Sequence, residues 1–436
     1  MLAVDPFALD RSLARFASQH RRFVTALEFG DARDHAFELL PAGIDGELLA
    51  ELSRAAPTDP FAAAAARWTA FLLTEHAAIA ERRAAARALY REPCVVNRPE
   101  QARLTRVDLR ARALADAARR DAWLDAFTRV AEPLSARRFA LFERLSEARS
   151  VLSVPSSPSA EHTRAVLEAG ERFVTQTRDA LHELRVTTLA SFIDRGLGRD
   201  VSAEWPVRLT PRRFADWFHE GGWLRGLSPE VESLPGVLGA SSVLRGLFRF
   251  GKALHDAGSR HGVPFVLARD PEERRARLFG ALFALLPLER PFAERRLAVS
   301  RTRYPEYARG LLRVVSLAAR CAVLRAHLAA TAERGAGAYR SVFEESIPAM
   351  LGFELPPVLA GALFVDEHGV ASLEALFRAM GKAAALIETY DEDWFRNPRA
   401  VEELRSEIAS RPELPGDAEA LAAGADRLAR TVLALG

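Results

Sequence analysis

The chain has 436 residues, of which 49% are hydrophobic, and its 60 basic and 58 acidic side chains leave a formal net charge of +2. A chain of this length and composition can bury a large core. The near-neutral balance excludes partners that need a strongly charged protein, and without a basic patch interleaved with aromatic residues we expect no nucleic-acid binding. Two cysteines are too few for a disulfide framework.

The sequence shows neither a targeting pattern nor a membrane-spanning pattern. Residues 1–6 lack the basic and apolar regions of a signal peptide. No run of about twenty apolar residues occurs along the chain. We therefore expect a cytoplasmic protein with no membrane partner.

Capping residues and prolines divide the N-terminal third of the chain into helices. Asp59 and Pro60 suit the cap and the first position of a helix, and the apolar residues that follow predict a helix over residues 61–90. A second helical pattern covers residues 122–148. It contains Pro133, which predicts a kink or a break at that point.

A stretch rich in serine and proline, residues 151–160, predicts a linker between two lobes. The N-terminal helical lobe then covers residues 1–150 and the C-terminal helical lobe covers residues 161–436. The second lobe is predicted to open with a long helix over residues 161–196.

The C-terminal lobe is irregular up to about residue 242 and helical after it. Its proline- and glycine-rich part predicts a short strand over residues 201–209, and another is expected over 265–267. Apolar periodicity predicts a helix over about 242–258 and a long one over 304–334. The fold class is therefore expected to be all-α, with few or no short strands.

Residues 247–255 of the 242–258 helix read Leu-Phe-Arg-Phe-Gly-Lys-Ala-Leu-His. This stretch resembles the core motif of the thimet oligopeptidase and oligoendopeptidase family of zinc peptidases, His-Glu-Phe-Gly-His-Ala-Leu-His. The matching positions are Phe250, Gly251, Ala253, Leu254 and His255. We expect Gly251 to permit close approach of a second helix and its apolar neighbours to pack in the core.

The three positions that carry the chemistry of that family do not match. Its first zinc-binding His falls on Phe248, its catalytic Glu on Arg249 and its second His on Lys252. Two His at this spacing hold a zinc ion from one helix face, and the Glu acts as general base. Phe248 has no lone pair, Lys252 repels a divalent ion, and Arg249 stays protonated. We expect no catalytic residue, no metal and no other cofactor here, so the resemblance implies a pseudoenzyme.

The family places a third zinc ligand, a Glu, about twenty-five residues after the first His. In this chain Glu273 lies 25 residues after Phe248. A carboxylate at that place also favours the start of a helix on its own account. We predict that Glu273 pairs with Lys252 or Arg249, so that an ion pair takes the place of the zinc ion. Together with His255, these residues form the degenerate site.

A second segment, residues 390–400, is similar to a stretch that bacterial members of the same family carry after the last active-site helix. Within it, Asn397 is predicted to cap a helix that begins at Pro398. The oxyanion-stabilising tyrosines of the family fall near His368 and Ser372, where this chain has none. The resemblance implies two helical lobes around a central channel.

Three functional hypotheses remain open from the sequence. The first is a catalytically inactive, peptidase-like protein that binds a peptide or protein partner in the old cleft. The second is an active metallopeptidase with relocated ligands, for which His219, Glu220 and His255 are the candidates. The third is a helical scaffold or assembly subunit in which the cleft is closed. The sequence predicts no oligomeric state.

Overall fold

The computed structural model of the chain describes residues 5–28, 30, 36–94, 103–152, 159–201, 205, 208–231, 234, 236–259, 263–332, 335–410 and 417–434. This part of the chain forms twenty α-helices and no β-strand, which confirms the prediction of an all-α protein. Its strand-like pairing consists of two isolated bridges, Pro93–Thr105 and Arg208–Gly236. None of the helices in these residues has the length and apolar character needed to cross a membrane.

The first seven helices precede the predicted linker. They are α1 (Pro6–Glu28), α2 (Gly46–Ala55), α3 (Pro60–Ala77), α4 (Ile79–Tyr90), α5 (Arg106–Ala115), α6 (Arg120–Arg129) and α7 (Glu132–Val151). The carboxylate of Asp59 accepts a hydrogen bond from the backbone N–H of Phe61 at 2.9 Å, as expected of a cap. The single helix predicted over 61–90 is instead two helices. Pro133 lies in the first turn of α7, so the predicted break is confirmed.

Thirteen helices follow in the described residues. They are α8 (Ala160–Gln176), α9 (Leu189–Leu197), α10 (Pro211–Phe218), α11 (Ala240–Gly258), α12 (Phe265–Ala268), α13 (Arg274–Leu285), α14 (Arg290–Arg296), α15 (Tyr304–Thr331), α16 (Ala336–Leu351), α17 (Leu359–Leu363), α18 (Gly369–Tyr390), α19 (Pro398–Ser410) and α20 (Ala418–Leu433). An oxygen of Asn397 accepts a hydrogen bond from the backbone N–H of Arg399 at 3.0 Å, so Asn397 caps α19 as predicted.

The long helix predicted over 161–196 is wrong, because α8 ends at Gln176 and α9 begins at Leu189. Immediately after α8, the carbonyl of Thr177 accepts a hydrogen bond from Nη2 of Arg320 at 2.7 Å. Arg320 is a buried residue of α15. This contact ties the end of α8 to α15.

The strand predicted over 265–267 is also wrong, because these residues belong to the short helix α12. The carboxylate of Asp10 accepts hydrogen bonds from the backbone N–H groups of Phe265 and Val266, each at 3.0 Å. The unpaired donors at the start of a helix are thus satisfied by a residue of α1. Of the other predicted strand, residues 202–204 and 206–207 lie outside the described residues.

Buried apolar side chains form two main clusters. The smaller one joins residues between Leu9 and Leu72 with Val266 of α12. The larger one runs from Ala88 to Ala429 and contains residues from both sides of the predicted 151–160 linker. Residues 153–158 of that linker lie outside the described residues, and the division into two lobes at this point stays a prediction.

Helices α11 and α13 make the most extensive helix pair in the described residues. They run in opposite directions, since Phe248 lies beside Gly280 and Lys252 lies beside Glu273. A Cβ atom on Gly251 would lie 2.6 Å from the carbonyl oxygen of Phe279, so only glycine fits the crossing. The predicted close approach at Gly251 is confirmed.

Candidate functional site

A cleft of about 600 Å³ lies beside the degenerate motif. Its walls come from α1, α3, α4, α7, α11 and α13, together with residues 230–231, the 269–273 segment before α13 and the 365–368 segment that leads into α18. Its volume falls within the roughly 300–1,000 Å³ that ligand pockets occupy. Arginines, carboxylates and histidines make up a large part of its lining, so a ligand here meets many charged and polar groups.

Lys252 and Glu273 form an ion pair inside this cleft. The ammonium of Lys252 on α11 donates a short hydrogen bond to Oε2 of Glu273, the residue immediately before α13. Nη2 of Arg277, one turn into α13, lies 3.8 Å from the same oxygen. The predicted pairing of Glu273 with Lys252 is confirmed.

The charges around Glu273 keep its carboxylate ionised. Burial alone would raise the pKa of Glu273, but the charge of Lys252, followed by that of Arg277, holds this pKa well below its usual range. The side chain of Lys252 is 23% exposed and that of Glu273 is 30% exposed, so water reaches both partners. The pair is therefore accessible to a ligand that enters the cleft.

The other residues of the degenerate site differ in where they point. Arg249 and His255 line the cleft with Lys252, whereas Phe248 packs against Gly280 of α13 and is not part of the lining. His255 is only 3% exposed, its ring lies 5.4 Å from that of Phe279, and neither ring nitrogen has a hydrogen-bond partner among the described residues. Four of the five predicted positions thus meet in one cleft, and Phe248 serves the helix crossing.

A second ion-pair network crosses the cleft near α3 and α4. Arg82 donates to both oxygens of Glu75, at 2.6 and 2.7 Å, and to both oxygens of Glu367, at 2.9 and 2.5 Å. Nε2 of His20 lies 3.1 Å from Glu75. Burial would raise the pKa of Glu75, but Arg82 and then His20 hold it well below its usual range. This network joins α1, α3 and α4 to the segment before α18.

His368 and Ser372, the positions where the family would place tyrosines, lie close to this ion-pair region. His368 lines the cleft, and burial together with the charge of Arg277 lowers its pKa to about 4. The hydroxyl of Ser372 accepts a hydrogen bond from Nη1 of Arg277 at 3.0 Å. His368 is therefore neutral at physiological pH, when one ring nitrogen can donate a hydrogen bond and the other can accept one.

The relocated metal set is not brought together. In the described residues no three His, Cys, Asp or Glu side chains are placed so that they could hold a metal ion, and this applies to His219, Glu220 and His255. Glu220 is bound instead by two arginines, Arg296 at 3.0 Å and Arg396 through a short hydrogen bond. Glu220 is thus engaged by arginines, and the three candidate ligands do not form a metal-binding group in the described residues.

Sequence reasoning missed the cleft residues Arg82 and Arg138, and also Arg245, which lies one turn before the cleft residue Arg249 on α11. Arg82 and Arg138 line the cleft from α4 and α7, and no local motif marks them. Arg245 had a readable signal. It precedes Arg249, Lys252 and Asp256 by four, seven and eleven residues, a spacing that places all four on one helix face.

Comparison of the chain with protein-family models, with curated proteins and with solved structures gave no match. The class of protein that the structure itself establishes is an all-α protein with a charged cleft between its helices. Membership of the thimet oligopeptidase family remains a prediction that rests on the motif at residues 247–255.

Proposed function

We propose that this protein is a catalytically inactive, metallopeptidase-like protein that binds a peptide in the cleft without cleaving it. The observation that carries the proposal is the Lys252–Glu273 ion pair between α11 and α13. In the alignment with the zinc-peptidase motif, these residues stand in place of a zinc-binding His and of the acidic zinc ligand. The cation of Lys252 neutralises the carboxylate that a metal would otherwise neutralise.

The motif position of the catalytic base is occupied by a group that cannot activate water. Peptide hydrolysis needs a base that accepts a proton from the attacking water. At the motif position of that base the chain has Arg249, which stays protonated. The pKa values of Glu273 and Glu75 are held far below neutral pH by adjacent cations, which makes both carboxylates weak bases. These features favour binding over catalysis.

The lining of the cleft fits a peptide better than an apolar small molecule. A peptide carries charged termini and hydrogen-bonding amides, and the walls offer arginines, carboxylates and histidines. The cleft volume also weighs against the hypothesis of a scaffold with a closed cleft. The hypothesis of relocated zinc ligands has no ligand set in the described residues.

Metal analysis tests the inactive-site half of the proposal. The purified protein is loaded with zinc, separated from free metal and measured by elemental mass spectrometry. We expect far less than one zinc ion per chain, and the same for the variant Lys252→Met. Near-stoichiometric zinc in the wild-type protein would show that the chain is a metalloprotein and would contradict the proposal.

Peptide retention tests the binding half. A mixed pool of pentapeptides is equilibrated with the protein, and the retained peptides are identified by mass spectrometry. We expect intact peptides to be retained by the wild-type protein, and retention to be lost in Ala86→Trp, which fills the cleft from α4. Ala423→Trp, an exposed position of α20, is the matched control and should retain them. Cleaved products, or equal retention by both variants, would contradict the proposal.

A further inference from the structure

One wall of the cleft contains a buried histidine without a hydrogen-bond partner. His255 is only 3% exposed, yet it lines the cleft from the last turn of α11. Neither Nδ1 nor Nε2 of its ring makes a hydrogen bond with the described residues. Because a buried polar group that stays unpaired costs stability, this imidazole is suited to pair with a group that enters the cleft.

The neighbouring carboxylate of Asp256 determines which ring nitrogen of His255 can accept a hydrogen bond. Oδ1 of Asp256 lies 3.6 Å from Nδ1 of His255. Oδ2 of the same carboxylate lies 3.8 Å from Nη1 of Arg21 and 3.7 Å from Nη1 of Arg269, so two arginines hold it in place. A carboxylate oxygen only accepts hydrogen bonds and therefore favours the proton on Nδ1. This tautomer leaves a lone pair on Nε2.

A carboxylate without a cationic partner lines the same cleft. Oδ1 of Asp270, just before α13, accepts a hydrogen bond from the backbone N–H of Arg274 at 3.0 Å. In the described part of the chain, no Lys, Arg or His nitrogen lies within 4.0 Å of this carboxylate. By contrast, Glu75, Glu273 and Glu367 in the cleft are each paired with an arginine or a lysine. Burial raises the pKa of Asp270, so a cation beside it would stabilise the ionised form.

The segment that carries Asp270 is held against the end of α11. Nη2 of Arg269 donates to the backbone carbonyl of Asp256 at 3.2 Å, in addition to the contact between their charged groups. Nε1 of Trp68 on α3 donates to the backbone carbonyl of Arg269 at 3.0 Å. His255, Asp270 and Trp68 all line the cleft, so these contacts place them in one part of its wall.

We propose that His255 and Asp270 form a subsite that receives the N-terminal ammonium of a peptide held in the cleft. This inference rests on the proposed peptide-binding function. An ammonium group donates three hydrogen bonds and accepts none, so it suits the lone pair of Nε2 and the free oxygen of Asp270. The aromatic ring of Trp68 and the negative end of the α11 dipole also favour a cation at this place.

A lysine side chain offers the same ammonium chemistry, so the experiment compares three pentapeptide pools with amidated C-termini. One pool has a free N-terminus, one is N-acetylated, and one is N-acetylated with lysine as its first residue; the first two contain no lysine. Binding of each pool to the full-length protein is measured by equilibrium dialysis and mass spectrometry. We expect the free pool to bind about tenfold more tightly than either acetylated pool, the effect of charge-assisted hydrogen bonds.

A pair of matched variants tests the role of Asp270. Asp270→Asn removes the negative charge but keeps an oxygen for the backbone N–H of Arg274, and we expect it to bind the free and acetylated pools equally. Asp125→Asn changes an exposed carboxylate of α6 that does not line the cleft, and it should keep the preference for the free pool. Thermal unfolding checks that both variants are folded.

A second pair of variants tests the imidazole. His255→Leu has no acceptor at this position, and we expect its preference for the free N-terminus to be weaker than that of the wild type. His255→Gln offers an amide oxygen in place of Nε2 and should keep the preference. A loss of packing at this buried position affects both variants, whereas the loss of an acceptor affects only His255→Leu.

The outcomes separate this inference from the proposed function. Equal binding of the free and acetylated pools, or preference for the lysine pool alone, would overturn the N-terminal subsite and leave peptide binding in place. An unchanged preference in Asp270→Asn would also overturn the subsite. Retention of no pool by the folded wild-type protein would overturn peptide binding and the subsite with it. Loss of the preference in Asp270→Asn, with its retention in Asp125→Asn, would support the subsite.

Discussion

Two ion pairs that meet at the start of α13 show how differently one kind of interaction is used in this protein. Glu273 faces the cleft and pairs with Lys252, and both side chains remain partly exposed. The next residue, Arg274, points to a different carboxylate, Glu374, which is 1% exposed. Arg274 donates to both oxygens of Glu374 at 2.8 and 2.7 Å, and Arg378 donates to one of them at 2.8 Å.

The surrounding charges hold the pKa of both carboxylates well below the usual range, although burial opposes this in each case. The difference lies in solvent access. The carboxylate of Glu374 is enclosed, with a side-chain exposure of 2%, so its role is to hold α13 and α18 together. The charges around Glu273 can exchange partners with a ligand, which is why we place the functional site there.

The largest effect should come from breaking the enclosed network with Glu374→Gln. This change removes the carboxylate that Arg274 and Arg378 share, and loss of one member of a buried ion pair costs about 3–5 kcal/mol of the free energy of unfolding. Urea unfolding followed by circular dichroism measures this loss. Glu344→Gln, an exposed position on α16, is the control and should stay within about 0.5 kcal/mol of wild type. Equal midpoints for the two variants would contradict the structural role of Glu374.

Acid should weaken the contribution of Glu374 to the free energy of unfolding, because Glu374 becomes protonated. The expected loss is on the order of 2 kcal/mol. Because the pKa of Glu374 is lower in the folded than in the unfolded protein, its contribution to stability is present above the usual glutamate pKa, about 4.3. It is lost as the pH falls below that value. We therefore expect the stability difference between wild type and Glu374→Gln to shrink as the pH is lowered from about 7 to about 3. A constant difference over this range would argue against an ionised Glu374.

A smaller effect is expected at the glycine that brings α11 against α13. Gly251→Ala places a methyl group against the backbone of Phe279, and such overpacking costs about 1–3 kcal/mol. The matched control is Gly381→Ala in α18, where no atom lies within 4 Å of the added methyl group. That change should stabilise the protein by about 0.5–1 kcal/mol through helix propensity. Opposite signs in thermal unfolding would confirm the crossing, whereas stabilisation by both would contradict it.

The cap at Asn397 was predictable because it depends on residues close together in the sequence, and the close approach at Gly251 because a glycine within a helix leaves room for a neighbouring helix. The Lys252–Glu273 pair was predicted from the resemblance to a known motif. The remaining parts depend on distant contacts. The end of α8 is tied to Arg320 of α15, and α12 exists because Asp10 of α1 satisfies its first backbone donors. No local pattern contains such information.

The cleft was predictable only along α11 for the same reason. The spacing of Arg245 and Arg249 on that helix can be read from the sequence, but the position of Arg138 on α7 beside them cannot. Electrostatic sites assembled from several helices have no sequence period. The motif resemblance located one wall of the cleft, and the structure supplied the others.

The smallest effect on stability should come from the Lys252–Glu273 pair itself. A double-mutant cycle with Lys252→Met and Glu273→Gln should give a coupling energy of about 0–1 kcal/mol, because partly exposed pairs are screened by water. The exposed Arg144–Glu147 pair of α7 provides a reference cycle.

In the peptide-retention assay, by contrast, we expect Lys252→Met to change which peptides are retained, because it leaves the negative charge of Glu273 less well compensated inside the cleft. A coupling energy as large as the loss in Glu374→Gln, with unchanged peptide retention, would make the pair a structural tie between α11 and α13. The distinction between the two carboxylates would then disappear, and with it the reason for placing the ligand beside Lys252.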